Sequence, residues 1–231
     1  MDEEIYINFV CPKCGNAVAY LDQYAGTAQV CPYCNDDIIV PSGGEQEGYA
    51  LPLPIKTQRL LLRKLELTDL PDILEILTDE EVFRYDERPP MEEDEVKTWL
   101  EQTLKERLSD PRGVLTLGLE LQGVKKIIGL LSFRYRDRDR QQARLNITVA
   151  SGHQRQGLAF EALQAALGFG FRDIGLHRVV TMCDSRDAAG IRLFTKSGMR
   201  KEGESLRDRY FDDEWADSVW FAMLSEEAPK G

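Results

Sequence analysis

A chain of 231 residues, 42% hydrophobic and 30% charged, has the length and composition of one or two soluble domains with a sizeable core. The acidic opening residues form no basic leader, and no apolar run approaches the roughly 18 residues that span a bilayer, so a cytoplasmic protein without membrane contact is expected. A formal net charge of −11 argues against nucleic acid as the main partner, because binding a phosphate backbone relies on Lys and Arg displacing counterions.

Four of the five cysteines come early, as Cys11-Pro12-Lys13-Cys14 and Cys31-Pro32-Tyr33-Cys34. Each Cys-x-x-Cys turn lets two thiolates share one metal, and two such turns complete the tetrahedron that Zn2+ favours. Gly15 and Asn35, directly after the turns, tolerate the left-handed backbone such knuckles need. Two disulfides or a redox dithiol are the competing readings; the odd cysteine count, the missing export signal and the repeated motif weigh against both. Short strands are expected over 6–10, 17–20, 28–30 and 38–40, with a turn at Ala25-Gly26.

Residues 1–41 therefore read as a zinc ribbon in which Cys11, Cys14, Cys31 and Cys34 hold a structural ion. A closed four-thiolate site leaves no open position for chemistry, and so small a unit needs the metal to fold. The ribbon carries Lys13 against Asp2, Glu3, Glu4, Asp22, Asp36 and Asp37. That acidity disfavours nucleic acid and favours a protein-contact or homodimer role.

From 42 to 56, glycine, proline and charge replace any apolar period, which reads as a linker. A strand is expected over 60–65, then a helix capped by Thr68 or Asp69 with Leu70, Ile73, Leu74 and Leu77 on one face. A second helix over 91–108 is acidic at its start and basic near its end, as the macrodipole favours. Two β runs, 113–121 and 125–135, flank Gln122-Gly123-Val124 as a hairpin, and 136–142 reads as a charged, solvated turn.

A central strand over 145–149 leads through Gln154-Arg155-Gln156-Gly157-Leu158-Ala159 into a helix from about 156 to 174. Ala159, Ala162, Leu163, Ala166, Leu167 and Gly170 recur there at core spacing. A strand over 177–183, a helix over 187–197 stopped by Gly198, and strands over 199–204 and 217–224 complete an α/β fold with a mixed sheet. With no Cβ at Gly157, an anion can approach the main chain of the strand-to-helix turn and meet the orphan amides of the helix start. An ordinary α/β turn is the bland alternative.

That turn is followed by Phe160-Glu161-Ala162-Leu163, by Gly175-Leu176-His177-Arg178-Val179 and by Ile191-Arg192-Leu193-Phe194-Thr195-Lys196-Ser197-Gly198-Met199. Together these segments resemble the GNAT superfamily of acetyl-CoA-dependent N-acetyltransferases over residues 57–226, closest to the branch that acetylates ribosomal-protein N-termini. The resemblance implies a GNAT-type, mostly antiparallel sheet flanked by helices. It implies that the amides of Gln154, Arg155, Gln156, Gly157, Leu158 and Ala159 hold the CoA pyrophosphate. It also implies that strands 145–149 and 177–183 splay apart, with pantetheine in the gap beside Ile147, Thr148 and Val149 and near Asp187 and Phe194. The amine would attack the thioester directly, with a backbone N–H near Val149 stabilising the oxyanion.

The chain departs from the family pattern at the chemistry. A tyrosine that many members use as an acid falls on Phe194, an asparagine and a serine fall on Asp187 and Gly190, and a strand acid falls on Arg144. No catalytic acid or base is assigned. A site so equipped suits an α-amine, of pKa about 7.7–8.0, better than a lysine near 10.4, which costs roughly 3 kcal/mol more to deprotonate. Glu66, Asp86, Glu87 and Asp217 are acids expected near the acceptor groove, none with an assigned role; His153 and His177 read as packing or surface residues, and Cys183 as a buried small hydrophobe. The expected function is acetyl transfer from acetyl-CoA to a primary amine, with a protein N-terminal α-amine favoured. The alternatives are an acetyl-CoA-binding regulatory protein of little turnover, with the ribbon as an interaction module, and a ribbon-centred recruitment protein.

Overall fold

The computed structural model describes residues 6–42, 49–105, 114–135, 142–211 and 213–228. The charged turn at 136–141, the glycine-rich part of the expected linker at 43–48 and residues 106–108 of the second expected helix lie outside them. Among the described residues no helix is long and apolar enough to cross a membrane.

β1 (Tyr6–Val10) and β2 (Ala17–Leu21) pair antiparallel around the first cysteine turn, and β3 (Ala28–Val30) and β4 (Asp37–Ile39) do so around the second. Gly15 and Asn35 stand at φ 74° and 59°. Their amides donate to the Cys11 and Cys31 carbonyls, each at 2.9 Å, closing both knuckles.

The stretch expected as a linker is more ordered than its composition suggests. β5 (Tyr49–Ala50) pairs with Ile38 and Ile39 of β4, Leu51 is buried, and Leu53 and Ile55 pack against the main core. The alternation Leu51-Pro52-Leu53-Pro54-Ile55 is a half-buried β period hidden by prolines. Ala28 and Ile39 of the ribbon join that same core. Beside them Asp37, 5% exposed, is bridged to Lys64 at 3.3 Å.

The larger unit runs β6 (Ile55–Lys56), β7 (Leu60–Lys64), α1 (Leu70–Leu77), α2 (Glu80–Phe83), α3 (Glu93–Thr103), β8 (Val114–Leu121), β9 (Lys126–Tyr135), β10 (Gln142–Val149), α4 (Leu158–Arg172), β11 (Arg178–Asp184), α5 (Ala188–Lys196), β12 (Arg200–Phe211) and β13 (Glu214–Leu224). Eight strands make one sheet in the order β12-β13-β11-β10-β9-β8-β7-β6. β10 and β11 run parallel, and the other described neighbours are antiparallel. α4 and α5 bury one face through Leu163, Leu167 and Phe194. α1 and α3 cover the β8–β9 part of the other through Ile73, Ile76, Val96 and Leu100.

Three local features differ from expectation. α1 is entered through a 3-10 turn, Leu67–Asp69, in which Glu66 and Asp69 cap each other. Asp69 is buried, and its carboxylate takes the Arg63 guanidinium at 2.7 and 2.8 Å, so it serves a buried ion pair as well as the cap. The second helix starts at Glu93, where Glu92 and Glu95 form the capping box. The closing strands extend through 205–211 and 214–216, a charge-rich and mostly exposed stretch that shows no apolar alternation.

What positions the site is the parting of β10 from β11. Among the described residues the two pair only at Gln142–Arg178, Ala143–Val179 and Arg144–Val180; beyond this β10 follows β9 as far as Val149, while β11 follows β13 as far as Asp184. Gly129 of β9 lets β10 lean away, since a Cβ there would lie 2.5 Å from the Thr148 carbonyl oxygen and 3.3 Å from the Val149 Cα. Gly129→Val is expected to destabilise the fold by about 1–3 kcal/mol, read by urea unfolding; a loss below about 0.5 kcal/mol, the usual range for an unremarkable surface change, would show that this contact does not set the strand path.

Candidate active site

The turn leaving β10 is held by its own side chains. The Gln154 amide donates to the Val149 carbonyl at 3.1 Å, the Gln156 amide to the Gly152 carbonyl at 3.0 Å, and the Ala150 N–H to the Ile128 carbonyl at 2.9 Å. Arg155 and Gly157 stand at φ 59° and 78°, and Gly157 is the residue from which α4 starts. No side chain caps α4 there. A helix of fifteen residues thus directs its first amides, with the positive end of its dipole, into an open turn. Gln154, Arg155, Gln156 and Gly157 are exposed, Ala159 is half-buried, and Leu158, at 3%, anchors the turn to the core. This is the turn expected from the sequence to cradle an anion, and its helix start is uncapped.

A clasp that sequence reasoning missed secures it. Glu161, one turn into α4, accepts from the Thr57 hydroxyl at 2.6 Å, the Arg59 N–H at 2.7 Å and the Arg59 Nε at 2.7 Å. Arg59 Nη1 donates to the Gln156 carbonyl at 3.0 Å, and its Nη2 lies 3.5 Å from where a Gly157 Cβ would stand. Burial disfavours the Glu161 charge, but the Thr57 hydroxyl and Arg59 hold its carboxyl below the ordinary range. Only a partner 102 residues away in sequence explains an acid here, and nothing local signals it.

Ile147 and Thr148 are half-buried and Val149 is 7% exposed. All three lie on the β10 edge that no longer meets β11, where alternate residues turn N–H and C=O groups into the gap. Asp187 caps α5 by accepting from the Ala189 and Gly190 amides at 3.1 and 2.9 Å. A Cβ at Gly190 would lie 2.3 Å from the Asp187 carboxylate, which accounts for glycine there. Phe194 stands apart from the cradle. It is 5% exposed, packed against Phe221 at 5.5 Å between ring centres, and offers little surface to a bound molecule. Cys183 is pushed up to about 12 by burial and by the nearby charges of Asp187 and Asp184, so it is no thiolate nucleophile.

Three of the four acids expected around an acceptor groove are occupied. Glu66 belongs to the α1 cap, and Asp217 accepts the Arg207 N–H at 2.7 Å. Burial works against the Asp86 charge, but Arg88, bonded at 2.8 Å, keeps the carboxyl below its ordinary value. Glu87 is exposed, His153 is half-buried and His177 is exposed. Asp184, wholly buried, is held ionised against its desolvation by Arg186 at 2.9 Å and Arg209 at 3.1 Å.

In the ribbon the four sulfurs of Cys11, Cys14, Cys31 and Cys34 lie within 4.8 Å of one another. The Asn16 amide lowers Cys14 to about 7. The Asp36 amide favours the Cys34 thiolate, yet desolvation and the neighbouring thiols push that group up to about 12. Four thiols so close cannot all ionise without a cation among them. As a donor set they fit Zn2+.

The family model described as acetyltransferase (GNAT) domain matches residues 59–200. The chain belongs to the GNAT acetyltransferase family. It is 27% identical over 173 residues to the N-acetyltransferase YnaD of Bacillus subtilis, covering 75% of this chain and 98% of that one. It is 22% identical over 167 residues to the spermidine N(1)-acetyltransferase of Escherichia coli, covering 72% and 86%. A GNAT-family acetyltransferase structure from Bacillus anthracis superposes with a TM-score of 0.67 at 26% identity, over 75% of this chain and 99% of that chain. The spermidine N-acetyltransferase of Vibrio cholerae, in complex with CoA and spermine, does so with a TM-score of 0.66 at 21% identity, over 74% and 99%. A GNAT enzyme moves an acetyl group from acetyl-CoA to an amine, and the ribbon precedes the matched residues. Glu161→Ala is expected to lower stability by about 1–2 kcal/mol, the cost of unpaired donors discounted for the half-exposed Arg59, and to raise the KM for acetyl-CoA severalfold. Urea unfolding and initial rates check both; an unchanged KM would show that the clasp does not act on the turn.

Proposed function

We propose that this GNAT enzyme acetylates a peptide α-amine, with acetyl-CoA lying over Gln154 to Ala159 and along the gap between β10 and β11. The observation that carries the reading is an uncapped α4 start opening beside two strands that part after three pairs. Backbone amides of the turn would hold the pyrophosphate, and free groups near Ile147, Thr148 and Val149 would pair with the pantetheine arm. Asp187, already an acceptor for two amides, borders the same gap. Phe194 would contribute only packing behind it.

The chemistry asks little of side chains. A neutral amine nitrogen attacks the thioester carbonyl, the N–C bond forms, the C–S bond breaks, and the nitrogen's proton passes to water as the thiolate departs. A backbone N–H near Val149 stabilises the oxyanion. Since Phe194 carries no proton to give and Cys183 stays protonated, positioning supplies most of the rate. An α-amine is appreciably neutral at physiological pH, unlike an alkylamine near 10.4. A polyamine, the substrate class named for two of the relatives above, is the second reading. Against it stand the engaged acids Asp86, Asp184 and Asp217, which leave few carboxylates for a polycation.

Gly157→Val should demand a strained backbone and set a side chain against Arg59 where a phosphate oxygen belongs. Calorimetry with acetyl-CoA should show at least a tenfold weaker affinity in a folded variant; equal affinities overturn the cradle. Thiol release with wild-type protein should be faster on N-terminal peptides than on spermidine. Binding without release on any amine would favour a regulatory acetyl-CoA-binding protein.

The ribbon would hold one structural zinc on Cys11, Cys14, Cys31 and Cys34. Purified protein is expected to carry about one equivalent. Chelation should unfold the ribbon and, because Ala28 and Ile39 share the main core, also lower the melting temperature of the rest. Less than half an equivalent, with disulfides in its place, sinks this assignment.

A further inference from the structure

One face of the parted strands is closed. Ile147 and Val149 of β10 and Val179 and Cys183 of β11 belong to the core beneath α4 and α5, so Thr148 of β10 and Met182 and Asp184 of β11 turn to the second face. Four residues beyond the last pair, Arg144–Val180, the strands reach Thr148 and Asp184, which stand level across the gap. With acetyl-CoA in that gap, an acceptor would approach from the second face, on which Asn146 is exposed and Thr148, Met182 and Trp220 are half-buried.

One side chain ties three elements together at Asp184. β12 sets residues 206–208 against the single Asp217 of β13, with Arg207 at φ 48° and its N–H donating to the Asp217 carboxylate at 2.7 Å. Such a bulge re-aims the side chain that follows it. Here that is Arg209, whose side chain is 10% exposed and reaches across β13. Its Nε donates to Ser218 Oγ at 2.9 Å, and its Nη2 to the Asp184 carboxylate at 3.1 Å and the Asp217 carbonyl at 3.2 Å. Its Nη1 donates at 3.5 Å to the carbonyl of Tyr85, 124 residues away in the segment after α2. Among the described residues the other bonds of 84–88 are local: Arg84 to Glu81, the Asp86 N–H to Phe83, and Arg88 to Asp86. Burial opposes the Asp86 charge; Arg88 outweighs it, and the charge of Arg209 adds to the effect.

We infer that Arg209 is a positioning residue for the acceptor: through the Tyr85 carbonyl it fixes 85–88 as a wall on the open face of the gap, at the level of Asp184 and Thr148. The inference rests on acetyl-CoA lying between β10 and β11, and it applies to a peptide α-amine and a polyamine alike, since it concerns where the amine stands. A guanidinium suits the task. Its planar fork serves Ser218, Asp184 and Tyr85 at once, whereas a lysine ammonium would keep a charge beside Asp184 and lose the span. Direct attack needs the amine close to the thioester carbonyl, and a misplacement of about 1 Å can cost about a hundredfold in rate.

The test uses full-length protein, with a short peptide bearing a free α-amine and with spermidine as acceptors. Arg209→Lys is expected to lower kcat/KM for whichever is acetylated by about tenfold, with acetyl-CoA affinity by calorimetry within about twofold of wild type. Amide hydrogen exchange over 85–88 should quicken severalfold. Arg178→Lys, which weakens the Arg178–Glu202 pair at the opposite end of β11, is the control for a merely structural loss: it should lower the melting temperature without slowing either acceptor. Unchanged acceptor kinetics in Arg209→Lys, unchanged exchange over 85–88, or the same acceptor loss in Arg178→Lys overturns the inference. Should Arg209→Lys fail to fold, Tyr85→Ala and Tyr85→Gly decide. Both lose the ring and only glycine frees the backbone, so the glycine variant should be about threefold slower on the acceptor; equal rates overturn the wall. If wild-type protein binds no acetyl-CoA, the cofactor reading falls and the inference with it. If it binds acetyl-CoA but acetylates neither amine, both acceptor readings fall, and hydrogen exchange alone decides whether Arg209 holds the wall.

Discussion

The proposed cofactor slot depends on a pairing that stops. A parallel pair of strands in the middle of a sheet gains backbone hydrogen bonds for every residue added, yet β10 and β11 give up theirs after Arg144 and Val180. The loss is sustainable because each strand keeps a full antiparallel ladder on its other side, β10 with β9 and β11 with β13. Gly129 then lets β10 crowd β9 at Thr148 and Val149 more closely than any side chain would permit. Buried backbone groups left unpaired cost free energy comparable to a lost hydrogen bond. A slot of this kind suits a partner whose own amides can complete it.

The second dependence is electrostatic. An uncapped helix start is ordinarily a weakness, and here Glu161 stabilises α4 from one turn inside rather than at the cap, leaving the first amides open. A carboxylate at the cap would have competed with an anionic ligand for the same donors. Placed at Glu161 it keeps its charge near the helix start and draws Arg59 over the turn instead. The turn thus keeps its first helix amides free of any acid cap within a strongly acidic chain.

What could be read from the sequence were patterns carried by neighbours in the chain. The cysteine spacing, the apolar strand before Gly157 and the small-residue stripe of α4 each show their physics within a few residues, and the structure places them as expected. What could not be read depends on distant partners. Glu161 is an unremarkable surface acid until Thr57 and Arg59 are brought beside it. Gly129 is an ordinary strand glycine until Thr148 crosses it. Leu51, Leu53 and Ile55 were hidden for a different reason: the intervening prolines gave a linker's composition to an apolar strand-like alternation.

That alternation changes how the ribbon relates to the enzyme. β5 pairs with β4 of the ribbon, and Leu51 after it enters the core that holds Leu60 and Leu62 of β7. The same short segment then supplies β6 and, immediately after it, Thr57 and Arg59, whose bonds to Glu161 fix the first turn of α4. Lys64 at the far end of β7 is bridged back to Asp37, three residues beyond Cys34. Contacts therefore run without interruption from the cysteine knuckles through Ile39 and Leu51 to the edge of the sheet, and from that edge through Glu161 to Gly157. Packed interiors transmit displacement because they contain little free volume to absorb it. The cysteine knuckles are thus joined by continuous packing and by one ion pair to the sheet edge that carries the clasp.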